Sequence, residues 1–285
     1  MVTSLVNVMS KQSRNPGSLH HAAGVIRDDK VLLLLEFGIW NRKERKAPIM
    51  KEYTVKVIEL IQRTPTAATL RMDKPEGFTF KPGHWGYFTV EGDCGKVSRS
   101  LSFSSSPTEP HLEFTKRTSD SDFCKNVEQL QKGNEVSFRG PMGNLVYEGG
   151  LDKVTFIAGG IGITPIRSIL KYAVDKGIEG EKFLLYGNLN VVETAFADEI
   201  EQWEREDPGL KVIHVLNDPP QGWDGFTGFI DSRVIEASVP NLPDQTFYVS
   251  GPPPMVKAVA MCLDELGVHG DRVLKEELTG YEGMV

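Results

Sequence analysis

The chain has 285 residues, 40% of them apolar and 25% charged, with a net charge of −7, which is the make-up of a globular protein long enough for two domains. The acidic balance excludes nucleic acid as the main partner, because phosphate binding needs clustered lysine and arginine. The longest apolar run, Val31 to Leu35, falls far short of the roughly 20 residues that cross a bilayer, so no membrane span is expected.

Three cysteines, Cys94, Cys124 and Cys262, stand far apart with no C-x-x-C pair. That spacing leaves no self-contained four-cysteine iron–sulfur or zinc site, so no metal is expected, and it fits a reducing cytoplasm. Residues 1–49 carry eight Lys/Arg against four acids, a net of +4, and no acid precedes Asp28. They show no secretory pattern and read as an extension, disordered or loosely docked, in which Val31–Trp40 would add a strand or pack on a neighbour.

From Glu52 the pattern becomes β. Tyr53–Ile61 alternates, Ala67–Met72 is a second strand, and Pro82-Gly83 marks a turn before Tyr87–Val90. Ser98–Phe103, Leu112–Lys116 and Glu135–Phe138 add short strands, with one helix from about Asp122 to Leu130. Short strands at such spacing, punctuated by Gly and Pro, predict a small antiparallel β-barrel.

After Gly149-Gly150 the rhythm changes to strand–helix alternation. Strands are predicted at Val154–Ala158, Phe183–Tyr186, Lys211–Leu216 and Thr246–Val249. Helices are predicted at Pro165–Val174, Thr194–Trp203, near Asp231–Ala237 and at Pro254–Leu266. This order implies an α/β unit with a parallel sheet and right-handed crossovers. Phe196, Trp203 and Met261 read as core. The expected division is an extension over 1–49, a barrel over 50–147 and an α/β domain over 148–285, with a ligand cleft between the last two.

The stretch Val154–Pro165 carries the strongest local signal. A buried strand runs into Gly159-Gly160-Ile161-Gly162, and a helix follows with Thr164 as its expected N-cap and Pro165 at its first position. Glycines between a strand and a helix let backbone N–H groups approach an anion, usually a phosphate. The spacing is not G-x-G-x-x-G, so the common dinucleotide fingerprint is absent.

Taken together, these motifs resemble the ferredoxin–NADP(H) reductase superfamily over about residues 52–278. Arg99-Ser100-Leu101-Ser102 is similar to its R-x-Y-S flavin motif. Thr115, Lys116 and Arg117 with Cys124–Gly133 resemble its second flavin segment, and Gly140-Pro141-Met142-Gly143 matches its G-P-x-G. Gly159–Pro165 is similar to the nucleotide loop, Tyr186-Gly187-Asn188 to the Y-G-N turn, and Ser250-Gly251-Pro252-Pro253-Pro254-Met255 to C-G-P-P-x-M. The resemblance implies a flavin-binding barrel followed by a Rossmann-like nucleotide-binding sheet.

It also implies roles. Arg99 offers a fork of donors for the flavin pyrophosphate, and Lys116 and Arg117 either neutralise flavin phosphates or form an exposed pair. Ser102 would hydrogen-bond the flavin atom that receives hydride. Gly159, Gly160, Gly162, Thr164, Pro165, Gly187, Asn188, Gly251, Pro252, Pro253 and Met255 would hold the nicotinamide nucleotide, with Ser250 beside the nicotinamide. Glu276 either borders the flavin or is an exposed charge. Asp218, after the strand Lys211–Leu216, either accepts the adenosine 2′-hydroxyl and repels a 2′-phosphate or faces solvent; Leu189 supplies no positive charge there.

Several residues depart from the pattern. Leu101 stands in place of an aromatic that packs on the flavin, Cys124 in place of a serine, Ser250 in place of a cysteine, and Leu278 where relatives place an aromatic, with Tyr281 a substitute cover. The expectation is a reductase using FAD and NADH, with NADPH less favoured. It would pass electrons to an acceptor protein such as ferredoxin or an oxygenase component. A non-autonomous electron-transfer subunit, a free-flavin reductase and a flavin-free regulator are the alternatives.

Overall fold

The computed structural model describes residues 51–278, all within one compact unit, Met50–Val285. The readings for residues 1–49 and for Tyr281 lie outside the described residues.

Six antiparallel strands form the first layer: β1 (Glu52–Thr64), β2 (Ala67–Asp73), β3 (Trp85–Gly92), β4 (Gly95–Ser102), β5 (His111–Arg117) and β6 (Glu135–Met142). Their order is β4-β3-β6-β1-β2-β5. The sheet curls until its two edges meet through a Phe103–Phe114 bridge, which covers edge groups that would otherwise seek a partner. Phe78, Phe80, Phe88, Phe103, Phe114 and Phe138 fill the interior. Phe103 is fully buried and packs on Phe80 and Phe88 at centroid distances of 4.8 and 5.5 Å. Because it follows Ser102 directly, this packing fixes the end of β4. Helix α1 (Asp122–Glu128) closes one side, with Phe123 and Val127 buried and Ser121 as its N-cap.

The second layer is parallel, in the order β10-β9-β8-β7-β11-β12. Its strands are β7 (Lys153–Gly159), β8 (Glu181–Asn188), β9 (Leu210–Leu216), β10 (Phe226–Thr227), β11 (Thr246–Gly251) and β12 (Val273–Glu277). Helices α2 (Ile163–Lys176), α3 (Ala197–Glu206), α4 (Ser232–Ser238) and α5 (Pro253–Glu265) cover it, with separate apolar clusters on the two faces. The chain winds from β7 through β8 to β9, then returns to place β11 on the other side of β7. The loops after β7 and β11 therefore part company at a topological switch point, where open α/β sheets bind ligands.

The expected barrel and parallel sheet are both present. Several details differ. Strand β1 runs past Ile61 because bulges between Val57 and Glu59 and between Gln62 and Thr64 let it bend with the sheet. Helix α3 starts at Ala197 rather than Thr194, since Phe196 takes a left-handed backbone, φ 61°, that a helix cannot include. Met261 is 58% exposed, not core; α5 buries Val256, Val259 and Leu263 instead. Strands β10 and β12 carried no clear period in the sequence and were not expected.

None of the described helices is long and apolar enough to cross a membrane.

Candidate active site

A cleft of about 170 Å³ opens where the two layers meet. Trp85, Ser100, Leu101, Ser102 and Thr115 line it from the barrel, Ile161 and Thr164 from the loop after β7, and Glu276 to Leu278 from the end of β12. Its enclosed part is smaller than the roughly 300–1,000 Å³ of drug-sized ligand sites, so a dinucleotide would place one ring system inside and run outward along the surface.

Ser102, 4% exposed, donates its hydroxyl to Glu276 Oε1 at 2.7 Å. Burial raises the Glu276 carboxyl to about 7, against the lowering pull of the Ser102 hydrogen bond. Near neutral pH the group is thus balanced between acid and carboxylate. The alternative of a freely exposed charge does not hold.

This raised pKa predicts a pH-dependent stability. Glu276 keeps its proton more firmly in the folded chain than in the unfolded one, where its value is 4.5. Its contribution is therefore complete below that value and disappears as pH rises through about 7. At ~1.4 kcal/mol per unit, the shift corresponds to about 3 kcal/mol. Urea unfolding from pH 4.5 to 8 should show this decline in the wild type and lack it in Glu276→Gln; equal slopes would contradict the assignment.

The loop after β7 is shaped by its glycines. Gly160 has φ 51°, and a Cβ on Gly162 would run into the Ser250 carbonyl and lie 2.6 Å from Gly251 Cα, both main-chain groups of β11. The Met255 sulfur covers Gly159 and Gly251 in the same way. The loop forms a single 3₁₀ turn over Gly160–Gly162, and α2 starts at Ile163 with Gly162 in the N-cap position. Thr164 is not the N-cap; it lies inside the first turn and donates its hydroxyl to Ile161 O at 3.1 Å. Pro165 is accordingly the third residue of α2, two positions beyond its expected first position.

The neighbouring strand ends converge here. The Tyr186 hydroxyl lies 3.3 Å from Gly160 O and 3.2 Å from Ala195 O, and burial raises its pKa. Asn188 is 7% exposed, yet neither atom of its amide has a partner among the described residues, and the fully buried Ser250 hydroxyl also lacks one. Unpaired buried polar groups are costly, so both fit a polar ligand at this edge. Asp218 is exposed and bound through its N–H to Leu189 O at 2.7 Å, which brings the β8 and β9 turns together. Pro252 and Pro253 start α5 beside Gly251.

On the barrel side, Arg99 is exposed and, among the described residues, its guanidinium reaches only its neighbour's carbonyl, Ser98 O, at 2.9 Å. Leu101 packs partly on the barrel core. The Thr115 hydroxyl is buried between Thr69 and Ser104, at 2.7 and 2.8 Å. Lys116 and Arg117 are not an exposed pair. Lys116 is 9% exposed and turns its ammonium to the Cys124 sulfur beside the N-terminal turn of α1. Arg117 points the other way, with Nη2 3.3 Å from where a Gly160 Cβ would stand. Burial raises the Cys124 thiol pKa, but Lys116, Ser119 and Ser121 outweigh that and lower it overall.

One feature of the interface went unread in the sequence: a buried charge cluster built on Arg63, Arg167, Glu109, Glu113 and Glu199. Burial works against ionisation of Glu113, but the His111 hydrogen bond and Arg167, Arg63 and Arg71 hold its pKa at about 2. These residues come from distant segments and share no spacing that could have announced them.

Comparison with known proteins finds similar sequences and folds. Residues 156–261 match the model of the oxidoreductase NAD-binding domain. The fold is similar to the cytochrome b5 reductase domain of Ulva prolifera nitrate reductase, with a TM-score of 0.71, 22% identity, and coverage of 79% of this chain and 97% of that one. It is also similar to a ferredoxin NADP+ reductase from Neisseria gonorrhoeae, with a TM-score of 0.69, 19% identity, and coverage of 80% and 98%. Residues 156–261 thus match the oxidoreductase NAD-binding model, and the two-layer fold is similar to that of these two reductase structures.

Among sequence relatives, NADH-cytochrome b5 reductase 1 of Ajellomyces capsulatus is 34% identical over 189 residues, 63% of this chain and 61% of that protein. The same-named protein of Lodderomyces elongisporus is 33% identical over 162 residues, 55% and 54%. The chain therefore spans less than two thirds of the length of these relatives.

Proposed function

We propose that the chain is a flavoprotein reductase that takes hydride from NADH onto FAD and passes electrons to a one-electron acceptor protein. The observation that carries this reading is the Ser102–Glu276 pair facing the loop Gly160–Thr164 across one cleft, with Asn188 and Ser250 left unpaired at the adjoining strand ends. Bound FAD would supply the chemistry of accepting a hydride and releasing single electrons.

The chain's own residues would position and tune. Ser102 offers a hydroxyl to the reacting edge, and Glu276, poised near neutrality, holds or gives up the proton behind it. Arg99 is free to swing onto a pyrophosphate. Lys116 and the first turn of α1 stand where a second phosphate would lie, Thr115 closes the inner wall, and Leu101 covers a ring by apolar contact, with Cys124 held against Lys116. On the other side, Gly159, Gly160, Gly162, Thr164 and Pro165 carry the nicotinamide nucleotide at the switch point. Gly187, Asn188, Gly251, Pro252, Pro253 and Met255 flank it, and Ser250 faces the nicotinamide.

The names of the sequence relatives favour cytochrome b5 as the first acceptor to try, ahead of ferredoxin or an oxygenase component. The free thiols of Cys94, Cys124 and Cys262 suit a reducing compartment such as the cytoplasm. Two outcomes test the cofactors. Flavin released on denaturation should be FAD, because the second flavin segment would hold an adenylate half; FMN alone would overturn this. NADH should show the higher kcat/KM, since the exposed Asp218 carboxylate repels a 2′-phosphate. Asp218→Ala should narrow that preference about tenfold, equivalent to ~1.4 kcal/mol. A preference for NADPH in the wild type would overturn it.

A further inference from the structure

We infer that Arg167 is a positioning residue that fixes the nucleotide loop against the strand end bearing Ser102. The inference rests on the proposed reductase reading for its meaning, but its geometry stands independently.

Arg167 is 3% exposed and lies on α2, three residues beyond Thr164. Its guanidinium donates to Ser104 O at 3.0 Å, two residues beyond Ser102, and to both carboxylate oxygens of Glu109. Nη2, which bonds Glu109 Oε1, also reaches Glu199 Oε2, on α3, at 2.6 Å, while Nε is buried without a partner among the described residues. The next residue makes a second tie, with the Ser168 hydroxyl donating to Ser105 O at 2.6 Å. Both ties therefore sit within about one helical turn of the loop and a few residues of Ser102. Phe196 and Trp203 flank the guanidinium, at 5.4 and 5.5 Å from its carbon.

Stability alone does not explain such a group. Burying a guanidinium and its carboxylates costs desolvation that their attraction often fails to exceed, and well-packed apolar residues commonly do as well. What apolar residues cannot supply is a rigid planar fork on α2 holding acceptors from the β4–β5 connection and from α3 at set angles. The separation of the two walls of the cleft is what that fork specifies. Hydride transfer needs its reacting atoms held within a narrow distance, and small misplacements are expensive.

Arg167→Lys keeps the charge and removes the fork. In the flavin-loaded protein, the limiting rate of flavin reduction by NADH should fall about tenfold to a hundredfold. The half-saturating NADH concentration, flavin content and melting temperature should stay close to wild type. In the flavin-free chain, amides of residues 100–105 and 160–164 should exchange hydrogen about tenfold faster. An unchanged limiting rate together with unchanged exchange would overturn the inference. So would, in a folded variant, a rate loss that lost flavin accounts for, because Arg167 would then be merely structural. Should Arg167→Lys fail to fold, Ser168→Ala removes the second tie alone and faces the same readouts with smaller changes. If the wild type binds no flavin, the reductase reading fails, while the exchange comparison still decides whether Arg167 couples the two walls.

Discussion

Gly162→Ala should largely abolish nicotinamide-nucleotide binding and destabilise the fold. The added Cβ meets main-chain atoms of Ser250 and Gly251, and a strand paired on both sides, with β7 and β12, cannot step aside as a side chain would. Overpacking of this kind costs about 1–3 kcal/mol and sometimes more. Gly159→Ala should be milder, because its obstacle is the flexible Met255 side chain. Urea unfolding and nucleotide titration of the two variants provide the check. Wild-type stability and binding in Gly162→Ala would mean that the loop does not lie against β11 as described.

Ser102→Ala should slow flavin reduction by NADH far more than it weakens NADH binding. A single oriented donor at a site of developing charge is worth about 2.7–4 kcal/mol, or 100- to 1,000-fold. The substitution also strips Glu276 of its hydrogen-bond donor. That donor lowers the carboxyl pKa, so its loss should move the acid limb of the pH–rate profile upward. Stopped-flow reduction across pH measures both effects; an unchanged rate would remove Ser102 from the reaction.

The sequence made the fold plain where periodicity was strong. Tyr53–Val57 alternates because one face is buried in the barrel, and Val154–Ala158 is apolar but for Thr155, whose hydroxyl is hydrogen-bonded to Gln245, because β7 is covered on both faces. The parallel strands were readable from their rhythm with the intervening helices. Strand β12 was not, because Val273-Leu274-Lys275-Glu276-Glu277 has no period of its own and is held by pairing with β11. Met261 looked like core because its residue type says nothing about which face of α5 it occupies.

The site was legible in part. Glycines and motif residues pointed to the loop, and the structure places them at the switch point. The Ser102–Glu276 pair was not visible as a pair: its members stand 174 positions apart, and only the packing of β12 against the barrel brings them together. Lys116 and Arg117 read alike as adjacent cations, but adjacent strand residues face opposite ways, so one reaches α1 and the other the nucleotide loop. Arg167 and its carboxylates carried no signal at all, since charge partners from separate segments meet only after folding.

The central claim, that this chain carries a flavin and reduces it with nicotinamide nucleotide, is tested most directly by the absorbance spectrum of the purified protein before and after anaerobic addition of NADH. The account predicts visible flavin bands that bleach on addition. A colourless protein, or a yellow one whose bands persist with both NADH and NADPH, would contradict it.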